Sequence, residues 1–179
     1  MTAKHFAESL LNMHIEIDDL SRPQVHRLLE EHLANMYELS PPEQVFALDL
    51  NELRVLGITF WTVWDEQTLL GCGALKELSP THGEIKSMRT PAMARGKGAG
   101  LAVLRHIISV ARQRRYTRLS LETGTHPAFK PAHHLYRSHG FVCSGQVISD
   151  SLIGFFDVDS RSKALGDKLP SFECSLMLL

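Results

Sequence analysis

One segment limits the architecture more than any other. It runs from "GEIKSMRT" (83–90) through a glycine turn and an amphipathic stretch to about Arg114, then into "RLSLETG" (118–124). The two outer runs read as strands. The stretch between them carries Leu101, Leu104, Ile108 and Ala111 at helical spacing. A strand–helix–strand unit beside hairpins implies an α/β sheet that is partly antiparallel. Antiparallel pairs are expected around this unit. "ITFWTVWD" (58–65) and "LLGCGALKEL" (69–78) are separated only by Glu66, Gln67 and Thr68, which is hairpin spacing. "MHIEID" (13–18) predicts a first strand. "SRPQVHRLLEEHLANMYELS" (21–40) predicts a helix capped by Ser21, with Val25, Leu28, Leu29, Leu33 and Met36 on its inner face. "PEQVFALDLNEL" (42–53) predicts a second, shorter helix. "PAHHLYRSHG" (131–140) predicts a helix with Pro131 in its first turn and Gly140 past its end. "FVCSG" and "FECSLMLL" supply the last strands. The expected fold is one α/β domain over residues 1–179, with a mixed, partly antiparallel central sheet flanked by helices.

The glycine turn carries the chemistry. Gly96, Gly98 and Gly100 alternate beside Arg95 and Lys97, directly before the helix. A helix start offers backbone N–H groups with no internal partner and the positive end of the dipole, and glycine lets an anion approach the backbone closely. Two common phosphate loops are excluded. A P-loop needs Ser or Thr after its Gly-Lys, and here Lys97 precedes Gly98; the dinucleotide fingerprint needs a glycine where this chain has Leu101 or Val103. On the turn alone, a glycine-rich loop entering a purely structural helix is an equal alternative.

Composition removes other classes. The chain has 179 residues and a net charge of −1, so no global field points to nucleic acid or to a membrane surface. No window approaches a membrane span, and the N-terminal stretch has no signal-peptide pattern. Cys72, Cys143 and Cys174 form no CxxC pair, which argues against a disulfide framework and a zinc site and suits a cytoplasmic protein. His126, His133, His134 and His139 read as surface histidines, since adjacent helical positions cannot share a face; no metal is expected. "DVDSRSKALGDK" (157–168) fails as a calcium loop at Ser162 and Lys168. The arginines at 105, 112, 114, 115 and 118 read as a solvated face. Trp61 and Trp64 fall on opposite faces of their strand.

Arg95-x-x-Gly98-x-Gly100 after a strand, followed by "LYRSHGF" (135–141), resembles the GCN5-related N-acetyltransferase (GNAT) superfamily over roughly residues 58–145. "SPPEQVFALDL" and "GEIKSMRT" also resemble a subgroup of small bacterial acetyltransferases. The resemblance implies that acetyl-CoA is the co-substrate. The amides of Arg95, Gly96, Lys97, Gly98, Ala99 and Gly100 would receive its pyrophosphate, and the backbone of Met88, Arg89 and Thr90 its pantetheine arm. It further implies that this strand and "RLSLETG" splay apart, and that an amine attacks the thioester in the gap without a covalent enzyme intermediate. Glu84, in Gly83-Glu84-Ile85, resembles the family's glutamate base, with an ion pair to Lys86 as the plain structural alternative and Glu122 as the rival base. Tyr136 would protonate the leaving thiolate, against the alternative of a tyrosine that only buries its ring. The acceptor would be a small-molecule amine or a protein amine, entering near Tyr37–Asp49 and the long connection 146–171, which is expected to act as a lid. A homodimer, and a module that binds CoA without catalysis, are left open. The sequence departs from the family at Phe129, where many members carry an asparagine that contacts the pantetheine arm.

Overall fold

The computed structural model describes residues 13–40, 45, 47–144 and 171–178. Seven strands form one sheet in the order β1-β2-β3-β4-β5-β7-β6. They are β1 (Met13–Ile17), β2 (Ile58–Asp65), β3 (Thr68–Ser79), β4 (His82–Arg89), β5 (Arg118–Gly124), β6 (Val142–Ser144) and β7 (Ser171–Met177). Only the β4–β5 pair is parallel; the other five neighbours run antiparallel. The helices are α1 (Pro23–Leu39), α2 (Leu50–Leu53), α3 (Ala99–Gln113) and α4 (Lys130–Ser138). The α3 crossover joins β4 to β5, as the strand–helix–strand pattern requires.

The sheet is covered on both faces. On one face α3 and α4 bury Val103, Leu104, Ile107, Ala111 and Tyr136 against Trp61, Val63, Leu75, Ile85, Leu119 and Leu121. On the other, α1 and α2 bury Val25, Leu28, Leu29 and Leu53 against Phe60, Trp64, Cys72 and Ala74. Trp61 and Trp64 therefore serve opposite faces, and both are core. Among the described residues no helix is long and apolar enough to cross a membrane.

Three local expectations change. Helix α1 starts after Arg22 with no side-chain cap, so Ser21 is not its cap; Pro23 takes the first position, where its missing N–H costs nothing. Its fully buried stripe is Val25, Leu28, Leu29 and His32, while Leu33 and Met36 are half-buried. The second helix contracts to Leu50–Leu53 because Asp49 and Glu52 close a capping box: Asp49 accepts from the amides of Asn51 and Glu52, and Glu52 accepts from that of Asp49. Finally, Cys72 is free and buried, whereas Cys174 is disulfide-bonded, against the reading of the cysteines as unpaired. The 146–171 connection and residues 157–168 fall, but for Ser171, outside the described residues.

Candidate active site

The site lies where β4 and β5 part. Their pairing runs from His82↔Arg118 to Ile85↔Leu121 and stops, although β4 continues along β3 to Arg89 and β5 along β7 to Gly124. The cause is in β4. Lys86 opposes Ala74 and Arg89 opposes Cys72, so Ser87 and Met88 together face the single residue Gly73. This is a β-bulge, which bends its strand and re-aims side chains. Ser87 has φ 52°. A left-handed residue bearing a Cβ costs on the order of 1 kcal/mol and is retained where the surroundings hold it. The bulge has two consequences. Beyond Ile85 the edge of β4 is left open toward β5, ready to pair with an extended ligand. And Lys86 and Arg89, three positions apart, both face α1, because their partners Ala74 and Cys72 belong to the α1-side cluster.

A cleft follows this gap through the sheet. At one end it is bounded by His32 and Met36 of α1, at the other by Phe129, Ala132 and Tyr136. Lys86, Ser87 and Met88 form one wall, and Leu121, Glu122 and Thr123 the other. Phe129 holds its place by packing its ring where a side chain at Gly124 would otherwise stand, since a Cβ there would lie 2.4 Å from the ring. It therefore gives the cleft an apolar wall in place of an amide.

The glycine turn folds back on the end of β4. Gly96 (φ 75°) and Gly98 (φ 92°) occupy left-handed conformations, and Gly98 is the N-cap of α3 with no side chain capping it. Beyond Gly96 there is open space, and a Cβ on Gly100 would meet Thr90 Oγ1 at 3.3 Å. The turn Arg95, Gly96, Lys97, Gly98, Ala99 and Gly100 thus reaches Thr90 through Gly100, and Thr90 continues from Met88 and Arg89. A bare helix start next to an open strand edge fits a pyrophosphate followed by an extended arm, which is the shape of coenzyme A.

On the α1 side Lys86 holds two carboxylates: Nζ lies 2.7 Å from Glu84 Oε1 and 3.0 Å from Glu122 Oε2, and all three side chains are at most 18% exposed. Burial pulls the Lys86 pKa down, but the charges and hydrogen bonds of Glu84 and Glu122 outweigh it and raise the pKa above its ordinary value. The ion pair named as the alternative for Glu84 therefore exists, and Glu122 shares it; of the two acids, Glu122 lines the cleft. Tyr136 lines the far end of the cleft, its ring 5.8 Å from that of Phe141. Burial raises its pKa well above that of a free phenol, so it stays protonated.

Sequence reasoning missed His32 and the side chain of Arg89. His32 is 8% exposed, and its Nδ1 has no partner. Burial, then the nearby Arg89 charge, lowers its pKa to about 4, so the imidazole is neutral at pH 7. The available signal was a polar residue in the apolar i, i+3, i+4, i+7 series of α1. Arg89 donates through Nη2 to Asn35 Oδ1. His133 of α4 and His139 just past its end have structural uses: His133 Nε2 meets Gly124 O at 2.9 Å and His139 Nδ1 meets Leu135 O at 2.9 Å. Among the described residues no group of three or more His, Cys, Asp or Glu could hold a metal ion.

A mixed sheet opened by a bulge, with a glycine turn and helix start at its mouth, defines the acyl-CoA N-acyltransferase class. The family model for the acetyltransferase (GNAT) family matches residues 24–141. The chain is 56% identical over 129 residues to the uncharacterized N-acetyltransferase YsnE of Bacillus subtilis (strain 168), covering 72% of this chain and 85% of the relative. It is 48% identical over 128 residues to the uncharacterized N-acetyltransferase YedL of Escherichia coli (strain K12), covering 72% and 80%. A solved GNAT family acetyltransferase from Elizabethkingia anophelis, with acetyl-CoA bound, superposes with a TM-score of 0.62 at 17% identity, covering 93% of this chain and 99% of that one. The chain belongs to the GNAT family and is an acetyl-CoA-dependent N-acetyltransferase.

Proposed function

We propose that this enzyme acetylates a primary amine, small or protein-borne, by direct attack of the amine in the gap between β4 and β5. The observation that carries this is a cleft lined by Lys86 on one wall, Glu122 on the other and Tyr136 at one end, with Glu84 joined to it through Lys86. Acetyl-CoA supplies an acetyl group already activated as a thioester. The open backbone from Met88 to Thr90 aligns its arm, and the turn from Arg95 to Gly100 fixes its pyrophosphate. An amine arrives as an ammonium and must lose a proton before it can attack. Glu84 is the base by family resemblance. Glu122 is the second reading, favoured by its place on the cleft wall, and Lys86 ties the two together. The Tyr136 phenol, kept protonated by burial, hydrogen-bonds the departing sulfur and gives it a proton.

Thiol release in an amine screen tests the reaction. Once a substrate is in hand, Tyr136→Phe should lower kcat by about a hundredfold with little change in acetyl-CoA affinity, as loss of a general acid does. Glu84→Gln and Glu122→Gln rank the bases: the larger fall in kcat, with the alkaline limb of the pH profile intact, marks the proton acceptor. Wild-type kcat in Tyr136→Phe, measured where chemistry limits the rate, removes the tyrosine from the mechanism.

A further inference from the structure

We propose that the α1 side of the cleft holds a carboxylate-binding subsite made by Arg89 and His32, so that the acceptor is an amine that also carries a carboxylate. This rests on the reading of the cleft as the site of amine acetylation.

The argument starts from the two cations of β4. Lys86 is neutralised by Glu84 and Glu122. Arg89, on the same face, has no carboxylate in ion-pair contact among the described residues. The one side chain it is seen to bond is the neutral amide of Asn35, whose own N–H2 group is turned to Glu38 at 3.1 Å. Nε of Arg89 is buried and has no partner. A guanidinium offers five donors in a planar fork matched to a carboxylate, and leaving them unpaired away from water is costly. The exposed Glu31 adds a favourable but distant charge, while Arg95 adds a second positive one.

His32 supplies the second, independent observation. It lines the cleft, is nine-tenths buried, and its Nδ1 is unpartnered. Ser87 Oγ, on the bulge between the two cations, is also buried and unpartnered. Three polar atoms without partners, one of them cationic, thus collect at one junction of α1 and β4. Buried polar groups of a native protein are nearly all paired, so such a collection marks a place where a ligand completes the bonding. A carboxylate meets every requirement: it accepts from the Arg89 fork and from an imidazole N–H, and it neutralises the extra charge. The other pole of the acceptor is matched as well. Glu84, Lys86 and Glu122 together carry one net negative charge, which attracts the ammonium end.

The test separates the subsite from the chemistry. The probes are β-alanine, 4-aminobutyrate, 6-aminohexanoate and the common α-amino acids, each paired with its own carboxamide. Binding to the CoA-loaded protein is read by calorimetry, and turnover with acetyl-CoA by thiol release. At least one carboxylate should bind about tenfold or more tightly than its carboxamide, the scale of a hydrogen bond to a charged group. Arg89→Gln should abolish that preference in a folded protein, with a smaller loss of CoA affinity than of acceptor affinity. Should Arg89→Gln fail to fold, Arg89→Lys keeps the charge without the fork and should weaken carboxylate binding alone. No preference for any carboxylate, or a loss of CoA affinity in Arg89→Gln or Arg89→Lys equal to the loss for the acceptor, overturns the subsite. Carboxylate-selective binding without thiol release leaves the subsite standing and counts against the amine-acetylation reading instead.

Discussion

The two faces of the sheet address their ligands in different ways. On the α3 face the core is large and apolar, and the groups proposed to meet coenzyme A are backbone: a left-handed turn at Gly96 and Gly98, the start of α3, and the open edge of β4. On the α1 face the apolar cluster is smaller, and the polar groups gathered there are side chains: His32, Glu84, Lys86, Arg89 and Glu122. A backbone site of this kind, proposed above for the pyrophosphate and its arm, depends on conformation. A side-chain site depends on which residues are present and how they are paired. Within the α1 face the pairing itself divides the charges. Lys86 is satisfied internally and organises the wall; Arg89 is not.

Removing Lys86 sharpens this contrast most. Lys86→Met leaves Glu84 and Glu122 facing each other without their cation, and should lower the unfolding free energy in urea by about 4 kcal/mol, as when one partner of a buried ion pair is lost. Arg89→Met removes one bond from a charged donor to a neutral amide and should cost less, about 2 kcal/mol. Equal losses would erase the distinction between an internally satisfied cation and one held for a ligand.

Acid tests the same face at His32. Its folded pKa of about 4 lies below the unfolded value of 6.5, so the unfolded chain binds the proton more readily. The contribution of neutral His32 is complete above pH 6.5 and is lost as pH falls toward 4, in total roughly 3 kcal/mol. Denaturation series across that window should show a shallower slope for His32→Phe than for wild type. Identical slopes would mean that His32 titrates as if exposed.

The smallest effect is expected on the backbone face. Gly98→Val places a β-branched residue at φ 92°, in the turn that caps α3. CoA affinity should fall about tenfold, or ~1.4 kcal/mol, by calorimetry, with acceptor-side binding of carboxylates unchanged. A folded Gly98→Val protein with wild-type CoA affinity would break the assignment of the turn to the pyrophosphate.

The parts that rest on local chemistry were legible in the order of residues. Alternation and helical spacing gave the strands on either side of α3 and the α3 crossover, since a period of two or of 3.6 is written residue by residue. Glycine spacing gave the turn, because positive φ is a property of single residues. Tertiary structure alone decided the rest. That Ser87 bulges, so that Lys86 and Arg89 share a face, depends on the register against β3. That Glu84 and Glu122 meet on one ammonium depends on strands more than thirty residues apart in the chain. That His32 is buried without a partner beside Arg89 depends on how α1 lies on the sheet. Charges and unpaired atoms acquire meaning only from what surrounds them, because burial and neighbours, and not residue type, set the cost of leaving a polar group alone.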